Sequence, residues 1–259
     1  MHKKDGRRIA AVAVAAVAMI TGGTAMTLSE RGVSERGMSE RGVSERGAGP
    51  QASEDRRPRT PAGGGQTAEA VRKILAAANL AVPHGWRPAD IREERHDEVP
   101  VTVVRYERDG RRSLGGEHVS AVVADDGTLL GYTRLVADTP PARLSEERAR
   151  QAALGWLRSY VPEYAQGLRV QWVDRHDERV RTPDGRERVV SGMKVKAHHT
   201  SGRYAWVIVD GGGRIVTYER DVRWDGAAGR RGTEMWLHDS WIAAREGTGP
   251  QPGAPYAVA

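Results

Sequence analysis

Two stretches, "LSEERARQAALGWLRSY" at residues 144–160 and "GRYAWVIVDGGGRIVTYERD" at residues 202–221, decide how this chain folds. In the first, Ala149, Ala152, Ala153, Trp156, Leu157 and Tyr160 recur at three- and four-residue spacings, the stripe of an amphipathic helix. Ser145 stands where an N-cap belongs, and Pro162 ends the pattern. In the second stretch the apolar period drops to two on either side of Asp210 to Gly213, which reads as a β-hairpin. The preceding "GMKVKAHH" at 192–199 adds another strand of the same period.

The same order occurs earlier in the chain. "TAEAVRKILAAANL" at 67–80 places Val71, Ile74, Leu75 and Ala78 on one helical face, with Thr67 available as N-cap. Val101, Val103 and "HVSAVVA" at 118–124 then alternate around an Asp126-Gly127 turn. Matching the halves gives offsets of 78 for Thr67 and Ser145, 80 for His96 and His176 in the repeated quartet Arg-His-Asp-Glu, and 86 for Gly127 with Gly213 and Tyr132 with Tyr218. A slowly growing offset is what insertions in turns produce. The string "YERD", at Tyr106 and again at Tyr218, has an offset of 112 and is read as coincidence. The expected fold class is α+β: two tandem units, residues 67–140 and 141–225, each one helix packed on a three- to four-stranded antiparallel sheet.

Residues 144–160 opening a unit that closes with 202–221, and the fainter echo "GEHVSAVVADDGTLLGYTRL" at 116–135, resemble PepSY-type modules and more closely the YcdB/YcdC repeat of exported bacterial proteins. The resemblance implies a noncatalytic domain. Such domains serve secreted peptidases as inhibitory or chaperone-like prosegments, or bind the cell envelope. The resemblance supplies no catalytic residue to carry over.

Ahead of these units, Lys3, Lys4, Arg7 and Arg8 precede the apolar run Ile9–Ile20, and Gly23 and Ala25 provide the small residues of a cleavage site. Residues 1–25 therefore read as a signal peptide, with an uncleaved membrane anchor as the alternative. Either way the expected location is extracellular or in the cell envelope, with membrane contact only through an uncleaved signal. Residues 26–66, with the pentapeptide array "SERGV", "SERGM", "SERGV", "SERGA", bury too little to offset ordering and read as a disordered stalk. The net charge of +6 falls to about +3 without the first eight residues, so nucleic acid is not expected as a partner. With no cysteine there are no disulfides, no thiol chemistry and no Cys-based metal sites. The Arg, Ala and Gly bias suits a GC-rich, actinobacterial-type genome, and with no Phe the seven Trp and seven Tyr must fill the core.

Candidate chemistry is sparse. A strand would put His176 and Glu178 on one face, and His198 or His199 on a neighbouring strand would complete a metal site; the competing reading is polar residues entering a hairpin. G-x-S-x-G, H-E-x-x-H, Walker and G-x-G-x-x-G patterns are lacking, and "DGGGR" lies between strands. Residues 226–246 bring Trp236, Leu237, Trp241 and Ile242 together around His238 and Asp239. Trp236, His238, Asp239 and Trp241 are candidate partner-binding residues, with a buried cap over the second sheet as the alternative. Gly and Pro mark 247–259 as a disordered tail. The expectation is a secreted noncatalytic module without cofactor that binds a protein or cell-envelope partner, by strand addition or by occluding a peptidase cleft. The alternatives are a secreted hydrolase with unlocated carboxylates and an extracytoplasmic metal-binding protein.

Overall fold

A computed structural model describes residues 63–259; the signal peptide, and the stalk as far as residue 62, lie outside the described residues. The first helix, α1 (Gly64–Ala77), begins before Thr67, and its N-cap is Gly63 with φ 99°. The glycine-rich end of the expected stalk is thus helical. A left-handed cap of that kind costs glycine no Cβ strain. At the other end Asn79, with φ 56°, turns the chain so that its N–H reaches Ala76 O (3.0 Å) and the Leu80 N–H reaches Leu75 O (2.8 Å). That closure satisfies carbonyls the helix would leave open.

Helix α2 (Glu146–Tyr160) starts where its sequence says it should, with Ser145 Oγ accepting from the Arg148 N–H at 3.3 Å. Pro162 lacks the N–H to continue it and instead opens α3 (Pro162–Gln166), a single turn without an apolar period to reveal it.

The main sheet of the described residues has eight strands, of which β1 and β5 are not marked by a period-two segment: β1 (Arg87–His96), β2 (Val99–Glu107), β3 (His118–Ala124), β4 (Leu129–Leu135), β5 (Leu168–Arg181), β6 (Glu187–His199), β7 (Tyr204–Val209) and β8 (Ile215–Val222). Each half is an antiparallel meander, yet the halves do not form two sheets. β4 pairs with β8 through Gly131↔Glu219, Tyr132↔Tyr218 and Thr133↔Thr217, giving one eight-stranded sheet in the order β1-β2-β3-β4-β8-β7-β6-β5. The expectation of two separate small sheets is corrected accordingly. Two free edges cancel when they pair, which removes two rows of unpaired backbone groups.

The glycine and tyrosine matches locate this symmetry, whereas the histidine match does not. Gly127 and Gly213 share φ 85° in hairpins closed alike, Ala124 N–H to Thr128 O and Asp210 N–H to Arg214 O, both at 2.9 Å. His96, however, ends β1 beside the turn at Asp97, while His176 lies inside β5 opposite Gly192. The two Arg-His-Asp-Glu quartets therefore occupy different places, and they are not a register mark between the halves.

One sheet face carries α1 and α2. Ala68, Val71 and Leu75 of α1 and Ala149, Ala153 and Leu157 of α2 meet Tyr106, Tyr132 and Tyr218, so tyrosines supply the volume that absent Phe does not. On the other face, over β2, β3 and β4, lies the C-terminal chain. A two-stranded ribbon, β9 (Trp224–Asp225) with β10 (Arg230–Arg231), leads to α4 (Asp239–Arg245). Trp236, Leu237, Trp241 and Ile242 cover Val101, Val103, Val122 and Leu130. Residues 247–259, expected to be disordered, are folded back instead. Ala257 is buried with its N–H on Met235 Sδ (3.2 Å), and Gln251 bonds the backbone of Ala257 and Ala259. A glycine- and proline-rich composition here makes turns that return the chain to an apolar seat.

Candidate functional site

The candidate partner-binding residues are not an exposed patch. Trp241 is wholly buried and Trp236 nearly so, their rings edge-to-face at 4.9 Å. The Trp236 indole N–H donates to Arg95 O at 2.7 Å. Asp239 accepts from Nη1 and Nη2 of Arg105 (2.6 and 3.1 Å) and from the Gly115 N–H (2.6 Å), which pins α4 to the sheet. Burial would raise the Asp239 carboxyl, but His118 and Arg105 outweigh it and hold it below its usual range. Indoles with this much area to bury go to the core when an apolar sheet face stands open.

The proposed metal set is likewise dispersed. His176 and Glu178 share a face and touch, Nε2 to Oε1 at 2.9 Å. His198 and His199 pair with Arg169 and Leu168 at the far end of β5. Seven residues of strand separate them from His176, roughly 23 Å. His199 stacks on Tyr164 (4.4 Å) and His198 sits against Tyr204 (4.9 Å), so both have aromatic neighbours in place of a metal. Among the described residues no group of three or more His, Asp or Glu is placed to hold an ion, and no helix is long and apolar enough to cross a membrane.

A different site emerges where β5 and β6 curl. These are the longest strands, and the end of β5 reaches the loop before β3, where the Arg181 N–H donates to Gly115 O at 2.7 Å beside a Gly116↔Arg181 bridge. Sheet, loop and C-terminal chain thus line an open cavity of about 380 Å³. Strands β3, β4, β5, β6, β7 and β8 each contribute to its lining, and His238, Asp239, Ser240 and Tyr256 close it from the C-terminal side.

The exposure of the lining gives the cavity a direction. His176 and Glu178 side chains are 30% exposed and mark the mouth, His238 at 18% lies deeper, and His118 at 2% and Glu219 at 3% form the floor. Glu219 is fully engaged, accepting from the Trp206 indole N–H (2.8 Å), from Arg231 and from His238 Nε2 (3.2 Å). Burial alone would raise it, yet Arg231 and His238 hold it well below the usual carboxylate range. Glu178 is also pushed up by burial, and His176, His238 and Lys194 more than compensate, leaving it ionised.

His118 behaves differently. Its Nδ1 lies 2.9 Å from Gly116 O, which can only accept, so Nδ1 carries the proton and Nε2 bears a lone pair. Nε2 is buried and has no hydrogen-bond partner among the described residues. Burial and nearby Arg105 depress the imidazole to about 4, so it is neutral at neutral pH. Lys194, whose ammonium sits 4.2 Å from the Trp206 ring centre, makes no hydrogen bond among the described residues, and burial lowers its pKa.

A larger cavity of about 550 Å³ lies on the helix face beside Tyr132, Trp156, Arg134 and Arg214, and these four polar groups are already paired. Tyr132 OH and Trp156 N–H donate to Ala81 O and Ala78 O, Arg134 pairs with Asp138 and Arg214 with Asp210. The cavity beneath the C-terminal segment is therefore the candidate site.

Of the residues singled out from sequence, His176, Glu178, His238 and Asp239 meet there, drawn from two unrelated hypotheses. His118, Lys194 and Glu219 were missed. Their signal was weak: a charged or polar side chain sharing a strand face with apolar ones, in "EHVSAVVA", "GMKVKAHH" and "IVTYERDV". Comparison of the chain with protein-family models, curated proteins and solved structures gives no match.

Proposed function

We propose that this chain is an exported, noncatalytic binding module, PepSY-like in organisation, that holds a small polar ligand in the cavity beneath its C-terminal segment. One observation carries the reading. His118 lines the cavity, and its buried Nε2 has no hydrogen-bond partner among the described residues; leaving such a group unpaired costs about 1–3 kcal/mol, which a ligand donor reaching it would recover. The cavity volume lies within the range of small-molecule sites, and its mixture of aromatic walls with a few convergent polar groups is their usual composition.

The test is intrinsic fluorescence of Trp206, which lines the cavity, during titration with amino acids, sugars, phosphate esters and short peptides. At least one class should give a saturable change, lost in a Thr217→Trp variant that fills the space and still melts cooperatively. If none of the four perturbs the fluorescence, the cavity reading fails.

A second reading, regulation of a secreted peptidase or attachment to an envelope protein, is favoured by the outer edge of β5. This is a 14-residue strand whose far side pairs with no strand among the described residues except at the Arg181 bridge, and Trp172 on it is 43% exposed. An edge of that length is suited to strand addition by a partner peptide.

A further inference from the structure

Beyond the cavity, the sheet face that carries the C-terminal chain continues over the outer strands. Trp172 on β5 pairs with Lys196 on β6, which pairs with Trp206 on β7, and residues directly opposite one another in a sheet share a face. The Lys196 ammonium lies 4.6 Å from the ring centre of Tyr204, 5.0 Å from that of Trp224 and 5.6 Å from that of Trp172. At 43% exposure Trp172 is the most exposed tryptophan among the described residues, and Tyr204, Trp224 and Lys196 are partly exposed. None of these four lines the cavity.

The cluster carries an unanswered positive charge. Aromatic rings attract an ammonium without neutralising it. No carboxylate acts on Lys196, whose pKa burial alone lowers, whereas Lys194 on the same strand feels both Glu219 and Glu178. The acids of the flanking segments are engaged: Asp97 by Arg203 and Arg223, Asp225 by the Ala227 and Ala228 N–H groups, and Asp174, opposite Lys194, by the Arg175 N–H. Arg169, exposed and opposite His198, adds a second cation at this end of β5.

An exposed indole offers a flat apolar face that stacks on the C–H face of a sugar ring or on a nucleic-acid base, and Lys196 calls for an anion beside it. Single-stranded nucleic acid carries a phosphate at every step, yet Asp174, Asp177 and Glu178 follow Trp172 along β5 and would repel it. A lipid surface needs several cations together, and the same acids oppose it. A glycan with carboxylates set apart by neutral rings meets the lysine with charge and the acids with hydroxyls. We infer that this surface binds such an acidic polysaccharide, with a sugar ring on Trp172 and a carboxylate at Lys196. The site is separate from the cavity and does not rest on the cavity's ligand.

Calorimetric titration of the full chain with octasaccharides of hyaluronan and of unsulfated chondroitin, which alternate a uronic acid with a neutral sugar, tests this beside their carboxyl-reduced forms. At least one should bind saturably, and its reduced form about tenfold or more weakly. Trp172→Ala, at an exposed position and expected to melt as the parent does, should weaken both forms alike by about tenfold or more. Lys196→Met should weaken only the acidic form and bring the two together, while Thr217→Trp, in the cavity, should change neither. Absence of binding by both octasaccharides, equal binding of the reduced forms, or undiminished binding by Trp172→Ala overturns the proposal. Tighter binding of an oligothymidylate or of phosphatidylglycerol vesicles also overturns it, and would assign the surface to nucleic acid or to a membrane.

Discussion

Tyr132 on β4 and Tyr218 on β8, 86 residues apart in sequence, are direct cross-strand partners, and the pairs on either side of them exchange under the pseudo-twofold that relates the halves. The Thr133 and Thr217 hydroxyls, one pair along from the axis, bond each other at 2.8 Å. Repeat symmetry and sheet continuity are thus the same feature.

The two tyrosines differ in what their hydroxyls do. Tyr132 donates to Ala81 O, just after α1, whereas the buried Tyr218 hydroxyl has no partner among the described residues. Tyr132→Phe should cost about 1 kcal/mol in urea unfolding, and Tyr218→Phe should be neutral or stabilising by a similar amount. A larger loss at Tyr218 would contradict this assignment.

Arg105 and Asp239 fasten the C-terminal segment to β2. Asp239→Ala leaves a buried guanidinium with only Glu107 and Ser113 O, and should destabilise by about 3–5 kcal/mol. Limited proteolysis should show new cleavage first within 233–259. Unchanged resistance there would mean that the tryptophans hold the segment unaided.

Stability should fall on acidification in a window set by His118. Its folded-state value, about 4, lies below its ordinary 6.5, so the unfolded chain takes up the proton first. The stabilisation is complete above about 6.5 and is lost as pH falls to about 4, roughly 3 kcal/mol in all. Glu219 and Asp239, both held low in the fold, act in the same direction at lower pH. Equilibrium unfolding across pH 4 to 7 should show the decline, and His118→Gln should make it shallower, the remainder coming from buried His96, whose imidazole burial also depresses. An equal slope in the variant would assign the effect elsewhere.

Gly211 lies against the linker between the halves. A Cβ there would come within 1.9 Å of Pro141 O, and its N–H points to Pro140 O at 3.3 Å. Gly211→Ala should lower the melting temperature, at a cost of about 1–3 kcal/mol, while Gly155→Ala, in open space on α2, should not.

What could be read in the sequence was local. The α2 stripe, the Ser145 cap and the Asp-Gly hairpins follow from side-chain periodicity and turn chemistry, and the Tyr132–Tyr218 match followed from aligning those hairpins. The β4–β8 pairing did not, since adjacency between distant strands leaves no periodic trace. His96 and His176 misled because identical quartets were matched by letter; one sits at a tight turn and the other in mid-strand. The cavity was hidden for a related reason. It depends on how far β5 and β6 curl, and its polar residues are scattered over six strands.

The most direct measurement of the binding account is a ¹H–¹⁵N correlation spectrum of the full chain during titration with whichever of the amino acids, sugars, phosphate esters and short peptides changes the Trp206 fluorescence. The account predicts saturable shifts concentrated at His118, His176, Glu178, Lys194 and His238, with the outer edge of β5 and the helix-face cavity unmoved. Shifts confined to residues 168–181 or to the surroundings of Tyr132 and Trp156, or none at all, would contradict it.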